Sequence, residues 1–469
     1  MMKIVDALTR EGRRELEALL ESRRGASPDF ATLKRVLPVV EDVLRRGEPA
    51  LREYVKRFDM TALQPHRPKG TFSSKGEEVQ GRSGSRPTTP VGDQPSYPSK
   101  RICIDPRREK SPRVESSFRA AFRLARRRIE AYHHRQLSCE SSGFSFTDSL
   151  GVSFVERSVP LESVGVYVPG GRAFYPSSLL MGVLPARVAG VPRVVVATPP
   201  RAWAASPELR WAARELDVDE VLLAGGAHGV AGLVSVCGVA KIVGPGNRFV
   251  AAAKHLVSGL VAVDMPAGPS EVLIVASGDG DASLVAADFL AQAEHDPDAT
   301  CLLVTDSKKL AAEVRASVSS QLRALDSVSS KGNAATARAS LLRRGRIFTF
   351  KEISRAIAFA AEFAAEHVQV MGRRAERLAP ALLPTAGALF IGSSTPTAFG
   401  DYLAGPNHVL PTGGAARSFS GLSVRDFLRR GRSTRVPGRV ARKLAPPAAV
   451  LARFEGLVAH AAALERRAP

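Results

Sequence analysis

Cysteine is scarce in this chain: Cys103, Cys139, Cys237 and Cys301 are spread over 469 positions with no C-x-x-C pair. Such spacing indicates neither a zinc knuckle nor a disulfide framework, and it fits buried free thiols in a reducing cytoplasm. Long apolar runs are missing as well. The most apolar region, "LLMGVLPARVAGVPRVVVATPP", is broken by Pro185, Arg187, Pro192 and Arg193, well short of the uninterrupted stretch that a membrane helix needs. The opening "MMKIVDALTREGRRELEALL" carries charge throughout, so it reads as an amphipathic helix and not as a secretion signal. A soluble cytoplasmic protein with no membrane partner is expected.

Aromatic residues make up only 6% of the chain, which matters because its formal net charge is +20. The densest basic segment, residues 429–443 ("RRGRSTRVPGRVARK"), has seven basic residues, no acid and no aromatic ring to stack on bases. No specific nucleic-acid partner is expected. A solvated surface or a face at a subunit contact is the ordinary reading, with weak nonspecific polyanion binding as the alternative.

What is present is material for a large core: 44% hydrophobic residues in a chain longer than one core usually organises, hence two or more domains. Residues 69–100 are rich in Gly, Ser and Pro and nearly free of large apolar side chains, which predicts a flexible insertion. The segments on either side have helical periodicity and read as one helical region that the insertion interrupts. From Ser163 onward, short β-branched runs alternate with helical segments: "VGVYVP", "RVVVATPP", "EVLLAGG", "KIVGPG", "LVAVDM" and "EVLIVAS", then "TCLLVTD", "RIFTF" and "ALFIG". Alternation of this kind predicts an α/β fold with two parallel-sheet domains, Rossmann-like but incomplete, between helical N-terminal and C-terminal segments. The tail from Leu422 reads as helical and basic, and no short internal repeat is visible.

In such sheets ligands sit beyond the carboxyl ends of strands. The turns there are "VPGGRAFYPSS", "LAGGAHG", "VGPGNRF" and "MPAGPSE"; none is a G-x-G-x-x-G fingerprint, and each alone could be ordinary turn chemistry. Together they suggest a ligand-binding rim, with a phosphate against a helix N-terminus.

Five of the nine histidines fall in a few polar segments. In "LAQAEHDPDA", Gln292 and His295 are three apart on a helix and could face one metal, or could simply be a fraying helix end. Glu366 and His367 adjoin in "AAEHVQV", where an ordinary charged helix end is the bland reading. Asp401, Asn407 and His408 lie in the Gly- and Pro-rich loop "GDYLAGPNHVLPT". Glu455 and His460 are five apart, so a regular helix would not stack them. Nitrogen and oxygen donors without thiolate suit zinc or a similar ion at a catalytic rather than structural site.

Seven ordered blocks, "VGVYVPGGRAFYPSSLLMGVLPARVAG", "KIVGPGN", "VDMPAGPSEVLI", "AADFLAQAEHDPDA", "EHVQVM", "GDYLAGPNHVLPT" and "EGLVAHA", closely resemble the histidinol dehydrogenase family. The resemblance implies oxidation of L-histidinol to L-histidine with two NAD and one zinc ion per subunit, in an intertwined homodimer with a shared site. It implies Gln292, His295, Asp401 and His460 as zinc ligands, the last given by the partner subunit, and Glu366 and His367 as the acid–base pair. Ser270, His408 and Glu455 would contact substrate together with the metal-binding and acid–base groups. Tyr167, His228 and Asn247 would lie on the NAD side.

The implied organisation is a helical region (1–68), the insertion (69–100), a helical lead-in (101–166), a cofactor-side α/β domain (167–271), a zinc- and substrate-side α/β domain (272–421) and a basic helical tail at the dimer site (422–469). Four features depart from the family's pattern: His228 where the family usually has Gln, a shortened "VSVCGVAKIVG", the insertion, and the strongly basic tail. A relative acting on another alcohol, such as a sulfonated diol, would be expected to change the imidazole-binding groups; Glu366, His408 and Glu455 are retained.

Overall fold

The computed structural model describes residues 2–24, 30–60, 102–170, 175–266, 268–328 and 333–467. The expected insertion at 69–100 lies outside the described residues.

Two six-stranded sheets carry the fold. In the first, the spatial order is Cys103–Ile104, Glu220–Leu223, Arg193–Thr198, Ser163–Tyr167, Lys241–Val243 and Ala262–Val263. All pairs are parallel except the antiparallel edge pair Cys103–Ile104 with Glu220–Leu223. Runs such as "SVGVY" and "RVVVAT" can be continuously apolar because helices cover both faces. Val164, Val166, Val194 and Val196 point to one face, against Ile129 of helix Ser116–Cys139 and Leu180 of helix Pro176–Val188. Val195, Ala197, Leu222 and Ile242 point to the other, against Val36, Val40 and Val43 of helix Phe30–Arg46. The helices flanking the insertion therefore do not form one region. They lie on opposite faces of one sheet, and the edge strand Cys103–Ile104 starts the second of them on its way.

The second sheet is parallel throughout, in the order Lys3–Asp6, Gly345–Thr349, Thr300–Thr305, Glu271–Ala276, His367–Met371 and Ala388–Ile391. Two strands here differ from the sequence reading. Lys3–Asp6 is an edge strand, not the first turn of a helix: Met2 and Ile4 pack on one face and Val5 on the other, a period of two. The helix starts only at Arg10, after Asp6 Oδ1 has accepted the Leu8 N–H in a turn. Likewise "HVQVM" is not a helix end. Helix Ile353–Phe363 stops at Ala364 in the left-handed region (φ 52°), and the chain enters a fully buried strand at His367.

A third, antiparallel sheet joins Gly143–Thr147, Ser153–Pro160 and Leu428–Arg435. The tail is thus part strand. "LRRGRSTR" has no apolar stripe with which to bury a helix face, whereas its backbone pairs along all of Ser153–Pro160, with Arg432 Nε 2.8 Å from Glu156. Helices Gly438–Phe454 and Val458–Glu465 follow and pack on each other through Ala449, Ala452 and Ala461.

Candidate active site

The helix that ends in Gln292 spans Ala282–Ala293, begun by Asp281, whose carboxylate accepts the N–H groups of Ser283 and Leu284. A helix leaving the carboxyl end of Glu271–Ala276 returns antiparallel to the sheet, so its last turn comes back to the amino rim of the strands. Ser270, Glu366 and His367 occupy that rim, ahead of Glu271–Ala276 and at the start of His367–Met371. The acid–base candidates therefore lie at the amino ends of the second sheet, not at carboxyl ends as general α/β practice suggests. The "MPAGPSE" turn leads directly into that rim.

Glu366 and His367 are both buried and both held by Glu271. The Glu271 N–H donates to Glu366 Oε2 at 2.8 Å, and the Glu271 carbonyl lies 3.1 Å from His367 Nδ1. A carbonyl can only accept, so Nδ1 carries the proton and Nε2 is the free ring nitrogen of neutral His367. Burial alone would lower the His367 pKa; the adjacent Glu366 carboxylate at 3.5 Å, Asp401 and the Glu271 carbonyl outweigh it and push the value up to about 9.

Glu271 is itself clamped. Arg23, at the end of helix Arg10–Arg24, forms a two-pronged ion pair with its carboxylate, Nη2 lying 2.6 Å from Oε2, and the Gly413 N–H donates to Oε1 at 3.1 Å. Arg23 also donates to the Phe363 carbonyl at 3.1 Å and stacks 3.8 Å over the Phe363 ring. Sequence reasoning did not single out Arg23 or Glu271. An arginine among several in a charged helix, 248 positions from its partner, carries no local signal.

Gln292 is 5% exposed, yet its carboxamide makes no hydrogen bond to another described residue. His295 stands just past the helix end and is exposed, with its N–H 3.3 Å from the Gln292 carbonyl. His408 Nδ1 donates to the Asp401 carbonyl at 3.1 Å and sits 3.8 Å from Asp401 Oδ1, which leaves its Nε2 free. Burial lowers the His408 pKa against the opposing pull of Asp401, and the charges of His367 and His295 lower it further. His295, His367, Asp401 and His408 thus share one electrostatic neighbourhood.

The other two candidates in the tail stay apart from this group. Glu455 and His460 are exposed, separated by a corner at Gly456 (φ 74°) between two helices, and neither hydrogen-bonds to the other candidates among the described residues. Leu451, Phe454 and Val458 beside them are 66%, 88% and 72% exposed, an apolar surface that a lone chain leaves in water.

On the first sheet, Tyr167 is buried at a strand's carboxyl end, and its hydroxyl accepts the Gly226 N–H at 2.9 Å. Burial raises its pKa. The strand leading to Gly244 ends so close that a Cβ on Gly244 (φ +117°) would stand 2.3 Å from the Tyr167 carbonyl. Asn247 is exposed and caps helix Arg248–Val257, Oδ1 accepting the Phe249 and Val250 N–H groups at 3.0 and 3.2 Å. His228 is buried, its Nε2 2.9 Å from Asp59 Oδ2, which also accepts the Gly225 N–H at 2.9 Å. No helix among the described residues is long and apolar enough to cross a membrane.

Comparison with known proteins agrees along the whole chain. A family model described as histidinol dehydrogenase matches residues 22–468. Histidinol dehydrogenase of Bradyrhizobium diazoefficiens is 41% identical over 454 residues, covering 96% of this chain and 95% of that protein. The protein of the same name from Nitrobacter winogradskyi is 40% identical over 95% of this chain and 94% of its own length. The crystal structure of histidinol dehydrogenase from Elizabethkingia anophelis superposes with a TM-score of 0.74 at 27% identity, covering 99% of this chain and 98% of that one.

Proposed function

This chain belongs to the histidinol dehydrogenase family of oxidoreductases, and from that premise we propose that it oxidises L-histidinol through histidinal to L-histidine with two NAD, at a zinc-holding site shared between two copies of the chain. The observation that carries the reading is the buried Glu366–His367 pair, fixed on Glu271 beside Asp401 and His408.

The residues fit a metal. Gln292, a residue only 5% exposed, offers a carboxamide at the helix end, and His295 and Asp401 lie in the same neighbourhood. With His460 of a second copy they would make a nitrogen and oxygen donor set, open and labile because it has no thiolate. When bound, zinc anchors the imidazole and amine of the substrate, and NAD accepts hydride.

The remaining work falls to the chain. In its neutral form, which gains population as pH approaches about 9, His367 takes the alcohol proton at Nε2 as hydride leaves the carbinol carbon, and the Glu366 carboxylate stabilises the imidazolium that results. Glu366 keeps a second carboxylate oxygen, with which it activates the water that adds to the aldehyde. His408, held neutral by burial, presents Nε2 toward the substrate, with Ser270 and the second copy's equivalent of Glu455 as further contacts. Carboxylates at Glu366, Asp401 and Glu455 offset locally the +20 charge that repels a cationic amine.

On the cofactor side, Tyr167 and Asn247 line the rim where the N-terminus of helix Arg248–Val257 can face a pyrophosphate. His228 would act through the turn it braces, since Asp59 ties it to Gly225. The exposed Leu451, Phe454 and Val458 favour a homodimer in which the tail hairpin is covered by a second copy and delivers His460 there. A cytoplasmic setting, where NAD and free thiols coexist, goes with this reading.

Replacing His367 by Asn tests the assignment. Turnover should fall by about 10²–10⁴ while the zinc content stays near that of the parent. Equal turnover in parent and variant would remove His367 from the mechanism.

A further inference from the structure

Cys103 and Cys237 are 134 positions apart, yet their sulfurs lie 3.9 Å from each other. Glu220 joins them, its carboxylate within 4.8 Å of both thiols. The three residues come from three different pieces of the first sheet's layer: the edge strand Cys103–Ile104, the start of strand Glu220–Leu223, and the loop after helix Gly226–Ser235. Backbone pairing fixes the first two, since Cys103 opposes Leu222 and Ile104 opposes Val221. Arg193, at the start of the neighbouring strand, holds the other two. It donates to the Cys237 carbonyl at 2.7 Å and to Glu220 Oε2 at 3.1 Å.

We propose that Cys103, Cys237 and Glu220 form a second cation site, for a thiophilic divalent ion such as zinc, distinct from the proposed catalytic metal.

Three features carry the inference. The first is the sulfur separation. Two thiolates each roughly 2.3 Å from a tetrahedral zinc ion stand about 3.8 Å apart, which is the spacing here, whereas a disulfide requires closure to about 2.05 Å. The second is charge: two thiolates and a carboxylate bring three negative charges, a divalent ion removes two, and Arg193 supplies the last positive charge. A half-buried site favours neutrality of this kind. The third is donor chemistry, since paired thiolates select soft ions, and half-buried Cys103 keeps the cluster within reach of solvent. Cys103 is the thiol disposed to ionise first, because the hydrogen bond from Cys237 lowers its pKa while the same bond and burial raise that of Cys237.

Location gives the site its consequence. Arg193 and Glu220 begin their strands, so the cluster lies at the amino rim of the first sheet, opposite the turns after Tyr167 and Val243. An ion there cannot take part in hydride transfer. It would clip the edge strand Cys103–Ile104, where the chain re-enters the sheet, to the loop carrying Cys237.

Cadmium binding to the purified full-length protein tests this. The proposed catalytic donors contain no sulfur, so a cadmium–thiolate charge-transfer band reports on cysteine and not on the catalytic site, whether or not the catalytic reading is right, and its loss in the Cys103 and Cys237 variants separates this cluster from exposed Cys139. The parent should show that band and lose the alkylation of Cys103 and Cys237 on adding cadmium, while exposed Cys139 still reacts. Cys237→Ser and Cys103→Ser should lose the band, and Glu220→Gln should weaken binding, with histidinol oxidation unchanged in zinc. A parent with no thiolate band and unprotected thiols would overturn the proposal. So would recovery of the pair as a disulfide that cadmium does not prevent from forming.

Discussion

Arg23→Met removes the cation from a fully desolvated ion pair. The two side chains are 7% and 6% exposed, and without Arg23 the Glu271 carboxylate keeps, among the described residues, the N–H groups of Gly413 at 3.1 Å and Glu366 at 3.4 Å. An unpaired buried carboxylate of this kind costs about 3–5 kcal/mol, enough to lower the urea midpoint clearly. The same carboxylate belongs to the residue that holds Glu366 and His367, so its displacement should reach the acid–base pair and slow turnover by about 10²-fold. Pairing Arg23→Met with Glu271→Gln should restore much of the stability, because the amide oxygen can still accept from Gly413 and no charge is stranded. The assay is a urea titration with activity measured on each variant. An Arg23→Met protein with the parent's midpoint and turnover would refute the reasoning. So would a double variant whose losses simply add.

Three further outcomes are expected. The folded-state pKa of His367 is raised to about 9, so the stability from its pairing is fully present below its ordinary value near 6.5 and is lost as pH rises through about 9. NMR titration of the metal-free protein should find that value, and zinc, placed beside Asp401, should lower it; an unshifted imidazole would contradict the Glu366 contact. Mixing a His460→Ala chain with a His295→Ala chain should regain activity in heterodimers, since one of the two sites then has both ligands; a verified heterodimer without activity would mean that each site is built within one chain. Gly244→Ala should destabilise the protein by well over the roughly 1 kcal/mol typical of helix glycines, because its Cβ would stand 2.3 Å from the Tyr167 carbonyl at a left-handed φ of +117°; an unchanged melting curve would show that this turn can shift.

The strands of the two sheets were readable in sequence because parallel strands covered on both faces leave continuous β-branched runs, as in "RVVVAT" and "EVLIVA". Short elements at junctions were not. "KIVD" and "HVQVM" are four- and five-residue strands adjoining helical segments, where periodicity cannot separate the two states, and the basic "LRRGRSTR" owes its strand to backbone pairing with Ser153–Pro160.

At the site, the polar segments themselves stood out, and so did the Gln292–His295 spacing at a helix end. Their support did not. Glu271 looked like part of a turn, Arg23 like one of many surface arginines, and Asp59 like a neighbour of nothing, because each meets its partner only after the sheets assemble. The nearness of two cysteines was hidden for the same reason: no motif joins Cys103 to Cys237, and only the edge strand brings them together. Glu455 and His460 stay exposed in one chain, and the role proposed for them would depend on a second copy that no local pattern reveals.

The central claim is tested most directly by counting products. Zinc-loaded protein is incubated with L-histidinol and NAD, and NADH is measured against histidine released, with a chelated sample alongside. Conversion of an alcohol to a carboxylate removes four electrons, so two NADH should form per histidine, with activity lost on chelation and regained with zinc. A folded, zinc-bearing dimer that yields no NADH from L-histidinol, or one NADH with the aldehyde as product, would contradict the account.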